Sequence, residues 1–200
     1  MAQTSSNTIK RKRLLTLPLP ASAPDRVPLH SRVISFKGYR RADGLWDIEA
    51  HLLDVRSHDA EWPGGRRAAN EPIHSMLLRI AVDGTGVIKE IVASTDASPF
   101  EGVCGGITQR YAALVGTRVG AGFRRRVQQL VGGLNGCTHM TELLIGMGTA
   151  VIQTLAGEIS VPEDQKPFNL DGCHALDTSG DIVKKYHPLW YRPRSDPASE

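Results

Sequence analysis

The stretch VISFKGYRRADGLWDIEAHLLDV, residues 33–55, decides the class of fold. Val33, Ile34, Phe36 and Tyr39 lead into Ala42-Asp43-Gly44, and Leu45 to Leu52 return with apolar and polar residues in alternation. Alternation at a period of two marks half-buried strands, and an Asp-Gly pair between two such runs marks a hairpin. On the returning strand, Trp46 and Ile48 fall on one face and Leu45, Asp47 and Glu49 on the other. A second hairpin is expected from Met76 to Val82, the turn Asp83-Gly84-Thr85-Gly86, and Val87 to Ser94. Between the hairpins, Ser57 to Pro72 reads as a long loop, rich in Pro and Gly.

After Ser98-Pro99 the apolar spacing lengthens to that of a helix. Ile107, Tyr111, Leu114 and Val115 make one short face closed by Gly116, and Phe123, Val127, Leu130 and Val131 make another closed by Gly132-Gly133. A third helix is expected from about Thr138 to Leu155, where Leu143, Leu144, Met147, Val151 and Leu155 recur at helical steps. A last hairpin is expected from Cys173 to Leu176 and Ile182 to Tyr186 across Asp177-Thr178-Ser179-Gly180. Strands first and helices later give an α+β protein, an antiparallel sheet of hairpins with about three helices on one face. Residues 1–30 read as a flexible basic, Pro-rich arm, 31–190 as a single domain, and 191–200 as a frayed tail.

The 200 residues suffice for one ordinary domain, and 40% hydrophobic with 22% charged residues exclude a wholly disordered or fibrous chain. No apolar run approaches the length that spans a bilayer, so no membrane partner is expected. A net charge of +3 is too small a surplus to imply nucleic acid. The basic run from Lys10 to Arg13 with Leu14 to Leu19 imitates a secretory signal, but Pro18 interrupts it. Three cysteines cannot all pair within one chain, so reduced thiols and a cytoplasmic location are expected.

Two of those cysteines stand at helix starts: Cys104 in Val103-Cys104-Gly105-Gly106, and Cys137 in Asn135-Gly136-Cys137-Thr138-His139. A helix N-terminus presents free amides and a positive dipole end, a setting that favours a thiolate, although each cysteine could equally be a small apolar filler. His139 lies two residues past Cys137, and Glu142 follows about one turn later on the same helix. Arg40-Arg41 and Arg124-Arg125-Arg126 read as solvated faces that could serve an anionic substrate. Asp83-Gly84-Thr85-Gly86 joins two strands and opens no helix, so it is no phosphate loop.

The hairpin of Met76-Leu77-Leu78-Arg79-Ile80-Ala81-Val82-Asp83 and Val87-Ile88-Lys89-Glu90-Ile91, then Cys104-Gly105-Gly106, then Cys137 opening a helix, resembles the iron–sulfur scaffold family of the NifU and IscU type. The resemblance implies that Cys104 and Cys137 bind a cluster or a zinc ion. It departs from the family before the first strand, where Pro72-Ile73-His74 replaces Cys-Gly-Asp, and at Gly136, where the family has a histidine. The whole chain more closely resembles an uncharacterised bacterial domain family with the strings GYRRADGLWDIE, HxM and GCTH, which brings no activity with it.

The departures leave a three-ligand set of His74, Cys104 and Cys137, suited to zinc with a fourth position open for chemistry. His139 or Cys173 could close that position instead, and iron or an iron–sulfur cluster is the alternative cargo. His139, Glu142 and, if its sheet face is the functional one, Glu49 are the candidate acid/base groups. The expected function is a small metal-dependent hydrolase or lyase acting on a carbonyl or acyl-type metabolite, with an anionic substrate suited to the basic clusters. The alternatives are a metal or iron–sulfur carrier and a cofactor-free thiolate enzyme.

Overall fold

The computed structural model of the chain describes residues 25–100, 102–159, 162 and 164–194. Most of the expected N-terminal arm and most of the C-terminal tail lie outside the described residues.

The two expected hairpins form and join into one four-stranded antiparallel sheet. Strand β1 spans His30–Arg40, β2 Trp46–Arg56, β5 Pro72–Val82 and β6 Ile88–Ala97, in the order β1-β2-β5-β6. Within the expected loop, β3 (Ala60–Trp62) and β4 (Gly65–Arg67) make a small separate hairpin. The first turn is clamped by Arg41, whose guanidinium reaches Asp43 at 2.6 Å, Asp47 at 3.3 Å and Glu90 at 2.9 Å. Arg40 pairs with Glu158 at 3.2 Å while staying largely exposed, so the basic pair lies on a solvated face as expected and also makes contacts within the chain.

The turn between β5 and β6 is built on Asp83. One carboxylate oxygen accepts from the Thr85 amide at 2.9 Å, the Thr85 hydroxyl at 2.7 Å and the Val87 amide at 3.1 Å, and the other meets Lys89 at 2.9 Å. Burial raises the Asp83 pKa, but Lys89 and the turn donors outweigh it and hold the carboxyl well below the usual range. A depressed folded-state pKa gives stability that is full above the unfolded value and is lost as pH falls toward the folded one. Asp83→Ala is therefore expected to cost about 1–2 kcal/mol at neutral pH. Urea unfolding should show the gap to wild type closing as the pH drops below the ordinary carboxylate value.

The helical half follows. A 3-10 segment, Cys104–Leu114, takes the place of the first expected helix and packs on β6. Helix α1 spans Phe123–Val131 and α2 spans Thr138–Leu155. Helix α2 lies across β1, β2 and β5 on one face of the sheet, with α1 against it. Ile48, Leu52, Met76, Leu78 and Ile80 from the strands meet Leu143, Leu144, Met147 and Val151 from α2 in one buried cluster. Each such side chain contributes about 1.5–3 kcal/mol by leaving water.

The expected last hairpin is overturned. His174–Leu176 is a short 3-10 turn and Asp181–Tyr186 is helix α3. Asp177 caps the intervening turn by accepting from the amide and hydroxyl of Ser179. The run Ile182, Val183, Tyr186 has the three-to-four residue step of a helix, and Val183 is fully buried by it. No helix of the described residues is long and apolar enough to cross a membrane.

Candidate functional site

Strand register builds the site. On the helix-facing side, successive rungs across β1, β2 and β5 read Gly38–Ile48–Ile80, Phe36–Ala50–Leu78 and Ile34–Leu52–Met76, and then Arg32–Asp54–His74. The apolar face thus ends in a single polar rung. Helix α2 brings its second residue, His139, over that rung, and the rings of His74 and His139 lie 3.8 Å apart between centroids, tilted by 34°.

Asp54 is the hub. It is only 2% exposed, and its carboxylate is gripped by both arms of the Arg32 guanidinium at 2.7 Å each. His74 Nδ1 lies 3.0 Å from one oxygen and His30 Nε2 3.2 Å from the other. Burial works to raise the Asp54 pKa, but the hydrogen bonds and charge of Arg32, with His74, bring it below the usual carboxylate value. Burial lowers the pKa of His74, and His139 beside it adds to the effect, outweighing Asp54. Burial and then the Arg32 charge lower that of His139. Two neutral imidazoles beside an ionised carboxylate are the protonation states that metal ligation and general-base catalysis both need.

Three ligand-bearing side chains from separate elements, Asp54 on β2, His74 on β5 and His139 on α2, place one ligand atom each within 4.8 Å of the others. Ligand atoms at about 2.1 Å from one tetrahedral ion lie about 3.4 Å apart, so the group would draw closer together on holding a divalent cation.

Of the residues expected from the sequence, His74 and His139 meet here. Cys137 is the N-cap of α2, its Sγ 3.9 Å from His139 Nδ1 and 3.8 Å from Met76 Sδ. Its backbone is pinned by the buried Tyr111, whose hydroxyl accepts from the Cys137 amide at 3.0 Å and donates to its carbonyl at 3.1 Å. Cys104 opens the 3-10 segment, half-buried, and is not part of the Asp54, His74 and His139 group. Cys173 is exposed before the 174–176 turn. Glu142 is exposed at the rim, 3.5 Å from Arg32. Glu49 points to the opposite sheet face, between Lys37 and Arg79 in register, and so lies away from the group.

Asp54, Arg32 and His30 were not expected. The signal for them is the same alternation that marks the strands: stepping by two from Ile48 through Ala50 and Leu52 arrives at Asp54, and from Phe36 through Ile34 at Arg32. A carboxylate and a guanidinium in phase with an apolar face have to be paired or functional.

A family profile described as a protein of unknown function, DUF2889, matches residues 30–153, which hold the sheet, the 3-10 segment, α1 and nearly all of α2. No curated protein and no solved structure matches the chain.

Proposed function

The chain belongs to the DUF2889 family of proteins of unknown function, and we propose that it is a metal-dependent enzyme whose divalent ion, zinc or iron, is held by Asp54, His74 and His139. The reading is carried by the convergence of these three side chains from three separate elements at a buried end of the sheet. Two imidazoles and one carboxylate suit a borderline divalent ion and leave further positions for water and substrate. When bound, such an ion lowers the pKa of water or polarises a carbonyl.

The chain's own residues then have distinct tasks. Arg32 fixes the orientation of Asp54 through its paired contacts at 2.7 Å, so the carboxylate stays turned toward the two imidazoles. Glu142, exposed at the rim beside Arg32, is placed to move protons to and from substrate. The positive end of α2 favours a small anionic carbonyl or acyl compound, acted on by hydrolysis or by lyase chemistry. An iron–sulfur carrier would draw on thiolates, whereas the group assembled here is imidazole and carboxylate, which favours the enzyme.

Elemental analysis of chelator-free protein is expected to find about one equivalent of zinc or iron, lost in His74→Ala and His139→Ala, reduced in Asp54→Asn and retained in Cys104→Ser. Protein that is metal-free in every form, and stays so on zinc or iron titration, would overturn the metal reading.

The 3.9 Å approach of Cys137 Sγ to His139 Nδ1 favours a second reading, a cofactor-free thiolate enzyme with His139 as base. It predicts that iodoacetamide labels Cys137 of metal-free protein faster than Cys173, and that His139→Ala slows the labelling of Cys137.

A further inference from the structure

Strand β1 is an edge strand. It has β2 on one side and, among the described residues, no strand on the other. All eleven of its residues are exposed, including Val33, Ile34, Phe36 and Tyr39, and its pairing with β2 runs from end to end without a bulge. Natural sheets protect such an edge with bulges, prolines, short length or outward charge. None of the first three is present in β1.

The fourth device is weak. Arg32 is gripped by Asp54 at 2.7 Å and Arg40 is paired with Glu158 at 3.2 Å, so both are held by acids of the same chain. Lys37 stands opposite Glu49 in register, on the sheet face away from the helices.

We propose that β1 pairs antiparallel with β1 of a second copy about a two-fold axis at Ser35, giving one continuous sheet through both chains. A two-fold axis perpendicular to the sheet keeps each residue opposite one of the same face, so only registers shifted by steps of two are open. With the axis at Ser35, Ile34 faces Phe36 of the other copy, Val33 faces Lys37, Arg32 faces Gly38, Ser31 faces Tyr39 and His30 faces Arg40. With the axis at Phe36, the two copies of Phe36 face each other, but Ile34 faces Gly38 and has no apolar residue directly opposite. With the axis at Ile34, Phe36 faces Arg32. Of the three, the Ser35 register alone sets Ile34 directly opposite Phe36 on the helix-facing side, and it does so twice. A second copy is favoured over an unrelated extended peptide because the strand is its own complement in this register, and pairing removes the open edge from both chains at once. The two Arg32–Asp54–His74 rungs would lie on the same face about 20 Å apart, six residues at about 3.4 Å each.

Sedimentation velocity of the full chain from micromolar to millimolar concentration is expected to show the 21.8 kDa monomer passing to a species of twice that mass. Ile34→Lys should weaken the dimer at least about tenfold in Kd, with an unchanged circular dichroism spectrum because Ile34 is already exposed in the single chain. Ser35→Cys lies on the axis and should form an interchain disulfide on mild oxidation, while Ser31→Cys, opposite Tyr39, should not. A monomer at every concentration, an assembly larger than the dimer, a dimer that tolerates Ile34→Lys, or a dimer in which Cys at position 35 fails to cross-link each overturns the proposal.

Discussion

Arg32→Met is expected to destabilise the chain by about 2–3 kcal/mol at neutral pH, the cost of taking its strongest hydrogen-bond donor from a buried carboxylate. Asp54 is 2% exposed, and Arg32 supplies two of the short hydrogen bonds to its carboxylate. With the guanidinium gone, His30 and His74 are left as partners at 3.2 and 3.0 Å. Replacing both members is a different matter. A buried pair exchanged for apolar side chains of similar volume is often neutral, so Arg32→Met with Asp54→Leu should recover most of the loss. Urea unfolding of wild type, the single variant and the double variant checks this. A single-variant loss under about 1 kcal/mol would mean that Arg32 is an ordinary surface pair. The double variant also separates folding from function, since it should fold and yet bind no metal.

Gly136→Ala is expected to cost about 3 kcal/mol, the upper end of the range for overpacking. The Gly136 backbone is extended, so no conformational preference for glycine is involved. The reason is space. A Cβ at this position would overlap the carbonyl oxygen of Val131 at the end of α1 and come within 3.2 Å of Thr141 Oγ1, which itself donates to that carbonyl at 2.8 Å. Backbone cannot swing aside as the tip of a flexible side chain can. The close approach sets where α2 begins, and with it the positions of Cys137 and His139. Thermal unfolding together with zinc titration tests both consequences, with weaker metal binding expected in whatever fraction stays folded. An alanine variant of wild-type stability would show that the junction of α1 and α2 has room to adjust.

The sheet was legible because its signal is local. An Asp-Gly turn between alternating runs specifies a hairpin with no knowledge of the rest of the chain, and β1, β2, β5 and β6 all lie where that pattern puts them. Helix α2 was legible for the same reason, since its apolar stripe is long and unbroken. Two short segments misled. Ile182 to Tyr186 is too brief for its period to be told from alternation, and the Cys104–Leu114 stretch contains Gly105 and Gly106, which weaken an α-helix and left a 3-10 segment instead.

The site was half legible. His74 and His139 stand out as isolated histidines near element starts, whereas Asp54 looks like one of several acids on a polar-edged strand. What identifies it is phase: it lies six residues beyond Ile48 on the buried face, and its partners Arg32 and His74 are fixed by the pairing of three strands. Pairing between strands is a long-range property, and a single sequence carries it only through that phase. Cysteines drew the eye because their chemistry is distinctive, while the geometry centres on a carboxylate.

Because Arg32, Asp54 and His74 share one rung, insertions and deletions should fall unevenly along this chain. The turn between β1 and β2 at Ala42 to Leu45 can lengthen or shorten without moving the rung, since the strands beyond it keep their register. One residue inserted within β2 between Leu52 and Asp54 would turn the carboxylate to the opposite face and part it from both neighbours. Length variation among relatives of this chain should therefore gather at the hairpin tips and stop short of the rung.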